Sequence, residues 1–447
     1  MRVMRACGLV CSLVLPLLVV AGPPSRFGVD APELAPLGPA AVGVRTVRLV
    51  QTGQPDVLAV DAAGHAPLKD RILDVDVWYP AAKQPRRVRR YNTGGPAADA
   101  IVYTATLPSE PPAPPAAFSI PGIAVRGAPL QAGSHPLVIV SHGYSNATVA
   151  MSWLTENLAS KGYVVAAIRH EDPPITDRSR FAEVLLRRPL DVAFVAAQLQ
   201  GTLAGEFHID AARTALLGYS MGGYAVLTAG GAELDPQGGA ARIPGGLMLP
   251  YVRGGALQEA VRVKGVRAVV ALAPAGGALN AWGSGGLRGI HAPLLLIAGD
   301  ADRTVNYATG ARAFFDAAVN APRYLLTFKH GGHAIGLNPA PDAMRAKLWD
   351  LDWFEDPVWR KERITAINAH FITAFLDRYL KGDESRAAYL DVAVPDSDAG
   401  LWPAETAAAY DAYSPGTGGI SVWKGFQRNH AAGLQLLHAA PAPGAGP

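Results

Sequence analysis

"RTALLGYSMGGYAVLT", residues 213–228, decides the fold. "RTALLGYS" reads as a buried strand, and the residues from Gly222 open as a helix. Between them Gly218-Tyr219-Ser220-Met221-Gly222 fits G-x-S-x-G. Five residues carry little weight alone. At a strand-to-helix junction the same five describe a sharp turn that lifts the serine hydroxyl above the carboxyl edge of a sheet. Backbones approach closely in such a turn, so Gly218 and Gly222 must lack side chains, and Gly223 extends that freedom. The geometry also aims the Met221 N–H at a developing oxyanion.

The flanking sequence supplies the sheet. "PLVIVS" (136–141), "YVVAAI" (163–168), "VRAVVALAP" (266–274) and "APLLLIAGD" (292–300) are short apolar runs typical of strands buried on both faces. Helical spacing lies between them in "TVAMSWLTENLASKG" (148–162), in "RSRFAEVLLRRPLDVAFVAAQLQGTL" (178–203) and in "GARAFFDAAV" (310–319). "RYLLTFKHGGH" (323–333) is a last strand and loop. This alternation predicts an α/β fold, a doubly wound, mostly parallel sheet covered on both faces. Ahead of it, "RILDVDVWYP" (71–80) alternates Leu73, Val75 and Val77 with Asp74 and Asp76, the period of a half-buried strand.

Other segments stand outside this rhythm. Residues 22–40 read as a loose lead-in, and "LPSEPPAPPAAFSIPG" (107–122) as a proline-rich loop. Residues 233–264 form an insertion near the site, either a lid or a surface excursion. The chain is expected to be irregular over 386–447 and to end in a flexible tail, "APAPGAGP".

A serine needs a base, and the base needs an orienting acid. For this turn the expected chain order is Ser, then Asp or Glu, then His. "LLLIAGDADRTV" (294–305) offers Asp300 and Asp302. Asp302 is favoured because the turn after Gly299 carries it back toward the site, which leaves Asp300 as a turn or capping residue. "TFKHGGHAIG" (327–336) offers His330 and His333. The Gly331-Gly332 loop lets His333 reach Ser220, with His330 in support or at the surface. "VIVSHGYSN" (138–146) is the loop for a second oxyanion donor, the Tyr144 N–H, with Gly143 permitting close approach and His142 bracing the loop. "RHEDPP" (169–174) follows a strand at the same edge. His170, Glu171 and Asp172 are adjacent and do not converge on a metal, so a polar loop lining the site is preferred. Tryptophans of "LWDLDWFEDPVW" (348–359) either line a pocket or pack on the core.

The chain has 447 residues, 49% of them hydrophobic, enough for a large core. With 40 basic and 37 acidic side chains its net charge is +3, which gives no electrostatic footprint for nucleic acid. The cluster Arg86-Arg87-Val88-Arg89-Arg90 reads as a solvated loop. At the N-terminus, Arg2 and Arg5 precede the apolar run "ACGLVCSLVLPLLVVA", which is short for a membrane span and contains a proline. Residues 1–21 are expected to be a secretory signal peptide, making the mature protein secreted or periplasmic with no stable membrane insertion. Cys7 and Cys11 leave with that segment, so no disulfide, thiol nucleophile or cysteine metal ligand is expected.

"HPLVIVSHGYSNATVAMSWLTENLASKGYVVAAIRHED" (135–172), "GYSMGG", "AGDADRTV" and "GGHAIG" resemble the α/β-hydrolase superfamily. Within it they are similar to bacterial proteins grouped with dienelactone hydrolases and platelet-activating factor acetylhydrolases, over about residues 70–385. The strand "DVWYPA" and the helix "ITAINAHFITAFLDRYLKG" also fit that group. The resemblance implies Ser220, Asp302 and His333 as a catalytic triad, with Met221 and Tyr144 as oxyanion donors. True dienelactone hydrolases carry cysteine at the nucleophile position, and serine here favours ordinary ester hydrolysis. The expected function is that of an exported serine esterase acting on a small-molecule or lipid-like ester, with no metal or organic cofactor required. A lipase, a phospholipase A2-type acetylhydrolase, a polyester hydrolase, or a non-catalytic relative that only binds ligands are the alternatives.

Overall fold

The computed structural model describes residues 32–82, 100–107, 115–174, 177–402, 419–426 and 431–444. Residues 1–21, expected to be a signal peptide, and the Arg86–Arg90 cluster lie outside them. The strands are β1 (Ala41–Pro55), β2 (Leu68–Ala81), β3 (Val102–Leu107), β4 (Ala116–Pro121), β5 (Val125–Arg126), β6 (His135–Ser141), β7 (Val164–Ile168), β8 (Ile209–Tyr219), β9 (Val266–Leu272), β10 (Leu294–Gly299), β11 (Arg323–Phe328) and β12 (Leu434–Ala439). The helices are α1 (Ser152–Ser160), α2 (Phe181–Gln200), α3 (Met221–Ala229), α4 (Ala313–Ala317), α5 (Leu348–Asp352), α6 (Lys361–Lys381) and α7 (Ala387–Leu390).

One 10-stranded sheet runs in the order β12-β11-β10-β9-β8-β6-β7-β2-β1-β5, with β3 and β4 forming a separate hairpin. The centre, β11-β10-β9-β8-β6-β7, is parallel throughout. β2 joins β7 antiparallel, and β12 joins β11 antiparallel. The apolar runs read from the sequence are these parallel strands, and β6, β7 and β10 are buried along their whole length. Both faces are covered. α1 and α6 lie over one face, with Val138, Val140, Leu217 and Val270 beneath them. α2 and α3 cover the other, over Leu137, Ile139, Leu216 and Val269.

Helix α2 crosses Pro189 without ending. Proline has no N–H for the carbonyl four residues earlier, which is that of Leu185. The Tyr224 hydroxyl donates to that carbonyl at 3.1 Å, so α3 supplies the missing donor.

Several expectations need correction. The 107–122 stretch is not loop throughout, because it contains β4. β2 is half-buried only in its first part; from Val75 onward both of its faces are covered. Asp76 can be buried there because Arg169, Thr46 and Thr148 all donate to its carboxylate. The described part of the lead-in is tied down rather than loose. Leu34 N–H donates to His370 Nδ1 at 3.2 Å, and Asn157 donates to the Ala35 carbonyl at 2.9 Å. The irregular region expected over 386–447 carries α7 and the edge strand β12, and Ala442 N–H donates to the Val319 carbonyl at 2.8 Å. β12 lies beyond the expected 70–385 stretch, whereas β1 lies within residues 22–69, where the first strands are expected. Among the described residues no helix is long and apolar enough to cross a membrane.

Candidate active site

β8 ends at Tyr219 and α3 begins at Met221, leaving Ser220 between them at φ 55 and ψ −115. A non-glycine residue there stores on the order of 1–3 kcal/mol of strain and persists only where its surroundings hold it. They do hold it. Ser220 N–H donates to Leu272 O at 2.9 Å, and the Ser220 carbonyl accepts from Gly223, Tyr224 and Ala275 N–H groups at 2.8, 3.2 and 2.9 Å. A Cβ on Gly218 would strike the Gly222 carbonyl, and one on Gly222 would strike the Ser141 carbonyl. Met221 is the first residue of α3, so its N–H is one of the helix-terminal donors without a partner inside the helix.

His333 Nε2 lies 3.0 Å from Ser220 Oγ, and His333 Nδ1 lies 2.7 Å from Asp302 Oδ2. The carboxylate can only accept, so Nδ1 carries the proton and Nε2 is left to accept from the serine. Asp302 Oδ1 takes the N–H groups of Thr304 and Val305 at 2.8 and 3.1 Å. Burial alone would raise the Asp302 carboxyl, but the hydrogen bond and charge of His333 and those two N–H groups bring it below the ordinary carboxylate range. The other candidates do not converge on Ser220. Asp300 Oδ1 accepts the His330 N–H, and this pair closes the turn at the exposed ends of β10 and β11.

The loop that carries His333 is pinned carbonyl by carbonyl. Tyr219 OH donates to His333 O at 3.1 Å, Lys361 Nζ to Ala334 O, Asn368 Nδ2 to Ile335 O at 2.8 Å and Trp153 Nε1 to Gly336 O at 2.9 Å. Gly332 N–H donates to Asp356 at 2.6 Å. The Tyr219 ring also lies 5.3 Å from the His333 ring.

The 141–146 loop passes directly beside the serine. A Cβ on Gly143 would stand 3.6 Å from Ser220 Cβ and 3.0 Å from the Tyr219 ring. The Tyr144 ring packs edge-on against Phe181 at 5.5 Å. His142 braces this loop through its Nδ1, which donates to Gly143 O at 2.7 Å. Burial and the nearby Arg188 charge push the His142 imidazole down to about 4.

His170, Glu171 and Asp172 do not gather around a common point. His170 is committed on both nitrogens, to Asp191 and to Ser141, each at 2.8 Å. Asp172 pairs with Arg188, while Glu171 is exposed at φ 54. Among the described residues no group of three or more His, Cys, Asp or Glu could hold a metal ion. The sequence reading missed Arg188, Asp191 and Arg71. The available signal was "RRPLD", charged residues in the middle of an apolar helical stretch where a solvated face has no room.

The insertion 233–264 is anchored rather than free. Leu234, Ile243, Met248, Val252 and Val261 are buried in the core on the α2–α3 side. In the tryptophan-rich stretch Phe354 and Trp359 are buried, and Trp353 packs partly buried against the same core.

The chain matches a family model described as PET hydrolase-like over residues 128–243. That segment runs from the approach to β6, through the 141–146 loop and Ser220, into the insertion. No curated protein matches the chain. Among solved structures, a ferulic acid esterase from Streptomyces cinnamoneus is similar in fold, with 22% identity and a TM-score of 0.50 over 79% of this chain and 94% of that one. The sheet order, the serine turn between β8 and α3 and the structural likeness give the chain an α/β-hydrolase fold.

Proposed function

We propose that the protein is an exported serine esterase working through an acyl-enzyme. The observation that carries this reading is the hydrogen-bond chain from Ser220 Oγ through His333 to Asp302, at 3.0 and 2.7 Å, with the serine on a strained turn. Ser220 Oγ attacks the ester carbonyl carbon while His333 Nε2 takes its proton. Asp302 keeps the proton on Nδ1 and stabilises the imidazolium that forms. The carbonyl oxygen becomes an oxyanion that accepts from the Met221 and Tyr144 N–H groups. The tetrahedral intermediate collapses, the C–O bond to the alcohol breaks, and His333 returns the proton to the leaving alkoxide. Water repeats the sequence on the acyl-serine, giving the acid and free Ser220.

Export rests on the charged and apolar pattern of residues 1–21, which favours a secreted or periplasmic enzyme. The substrate is a small-molecule or lipid-like carboxylic ester. A polyester is the second reading, favoured by the PET hydrolase-like match across the nucleophile segment. Purified protein is assayed on p-nitrophenyl acetate and butyrate, a long-chain triglyceride, an acetylated phospholipid and a soluble polyester oligomer. Short-chain turnover that disappears in Ser220→Ala is expected. Turnover unchanged in Ser220→Ala overturns the proposal, and absence of turnover on every one of these esters replaces it with a protein that only binds its ligand.

A further inference from the structure

Beneath the 141–146 loop lies a polar cluster that the reaction as written does not use. Arg188, in the middle of α2, is fully buried. Its Nη1 donates to Ser141 Oγ at 3.1 Å and to the His142 carbonyl. Its Nη2 donates to the Gly143 carbonyl at 2.9 Å and to Asp172 Oδ2, while Nε donates to Asp172 Oδ1 at 3.1 Å. Asp172 Oδ2 in turn accepts the Ser145 N–H at 2.9 Å. One guanidinium and its carboxylate thus hold Ser141, His142, Gly143 and Ser145, the residues on both sides of Tyr144.

Behind this pair stands a second. Arg71 makes a fork to Asp191 at 2.6 and 2.7 Å and donates to the His170 carbonyl at 2.6 Å. Asp191 accepts from His170 Nδ1, so His170 Nε2 accepts the Ser141 hydroxyl. Burial, then the Arg188 charge, keeps His170 well below its ordinary pKa, so it is neutral. The cluster therefore balances two cations against two carboxylates. A buried ion pair is a costly way to gain stability, because apolar side chains of the same volume often do as well. Its return lies in direction: a fork holds acceptors at fixed angles.

Direction matters at one bond. The Gly143 carbonyl and the Tyr144 N–H belong to one planar trans peptide, so they point in opposite senses. Whatever fixes that carbonyl fixes the N–H. Arg188 Nη2, His142 Nδ1 and, at 3.3 Å, the Asn146 N–H all donate to it. We infer that Arg188, held by Asp172, is a positioning residue for ester hydrolysis: it sets the Gly143–Tyr144 peptide so that the Tyr144 N–H meets the oxyanion. This inference rests on the serine-esterase reading.

The test uses Arg188→Lys, whose single ammonium cannot reach Asp172 and both carbonyls together, and Asp172→Asn, which keeps shape but removes charge. Each is assayed on p-nitrophenyl acetate and on its thiono analogue, whose sulfur is a poor acceptor for oxyanion donors. In Arg188→Lys, kcat on the oxygen ester is expected to fall roughly 30- to 100-fold with KM within about twofold, and the oxo-to-thiono rate ratio to fall about tenfold. Asp172→Asn should move the ratio the same way, about threefold. A merely structural role lowers both rates together and leaves the ratio alone. An unchanged ratio in folded Arg188→Lys overturns the inference. If that variant does not fold, the ratio in Asp172→Asn decides. Wild-type turnover that does not depend on Ser220 would instead sink the esterase reading itself.

Discussion

Two Ser–His–Asp hydrogen-bond chains lie among the described residues. In one, Ser220, His333 and Asp302 are joined at 3.0 and 2.7 Å. In the other, Ser141, His170 and Asp191 are joined at 2.8 and 2.8 Å. Both imidazoles carry their proton on Nδ1 toward a carboxylate, and both present Nε2 to a hydroxyl. Ser141 ends β6, and Ser220 follows the end of the neighbouring β8, whose Gly218 is in register with Ser141. The surroundings differ. Ser220 stands at φ 55 on a turn, and the His333 side chain is 20% exposed. Ser141 ends a regular strand, and all three members of its set are buried. Its oxygen already accepts from Arg188. A hydrogen-bond chain alone thus prepares a tautomer. It becomes a candidate nucleophile where the serine is also partly exposed on a strained turn at the start of a helix.

The largest expected difference between the two sets is in rate. Ser220→Ala should lower kcat/KM by about 10⁴-fold or more, as removal of a nucleophile does. Ser141→Ala removes one Arg188 acceptor and no charge, so a loss of about two- to fivefold is expected, at the lower end of the cost of one hydrogen bond. Kinetics on p-nitrophenyl butyrate measure both. A fluorophosphonate probe with peptide mapping should find its adduct on Ser220. An adduct on Ser141 would break the distinction.

The acids give the next contrast. Asp302→Asn should cost about 10³- to 10⁴-fold in kcat by presenting His333 in the wrong tautomer. Asp300→Asn, whose partner is the His330 N–H, should change kcat less than twofold. Equal losses would mean that the turn as a whole, and not the carboxylate beside His333, carries the effect.

These contrasts follow how much of the molecule was legible in the sequence. The parallel centre was readable because strands buried on both faces leave continuous apolar runs such as Leu137–Val140 and Leu294–Ile297. The serine turn was readable because its glycines answer to backbone collisions within a few residues. β12 was not, since "LQLLHA" gains its place only from pairing with β11, more than a hundred residues earlier. The Arg188 cluster was hidden for a similar reason. Arg188, Asp191 and Asp172 look like solvated charges along the chain, and only the fold brings Arg71 and the 141–146 loop against them.

Acid should act on the buried histidines before it unmakes the sheet. His142 is pushed down to about 4 and His370 to about 3, chiefly by burial, and His170 lies well below its ordinary value for the same reason. Their folded pKa values lie below the unfolded 6.5, so the unfolded chain binds more protons as pH falls through 6.5. Stability is full above that pH and declines toward pH 4. Each such histidine costs on the order of 2 kcal/mol by pH 5. Urea unfolding at pH 7, 6 and 5 measures this slope, and His370→Gln should flatten it by about a third. A flat profile between pH 7 and 5 would show that these rings are charged in the fold.

The smallest effect is expected at the loop that holds His333. His170 has its carbonyl held by Arg71, a charge paired with Asp191, whereas the carbonyl after His333 is held by Lys361. Burial pushes the Lys361 ammonium down to about 8, against the opposing charges of Glu355, Asp356 and Glu362. Between that value and 10.5 the unfolded chain binds more protons than the folded one, so stability rises with pH across this window. Lys161, lowered to about 7 by burial, adds to the same slope. Above about pH 10 buried tyrosines such as Tyr163 and Tyr224, whose phenols burial raises, pull the other way. Lys361→Met removes one of the two lysines and leaves the Ala334 carbonyl without that donor. The rise in stability between pH 8 and 10 should then roughly halve, while kcat falls only about two- to threefold, because Tyr219, Asn368 and Trp153 still hold the neighbouring carbonyls. A hundredfold loss of kcat in a folded Lys361→Met protein would mean that His333 depends on this one contact, and that the loop is not held by several side chains in parallel.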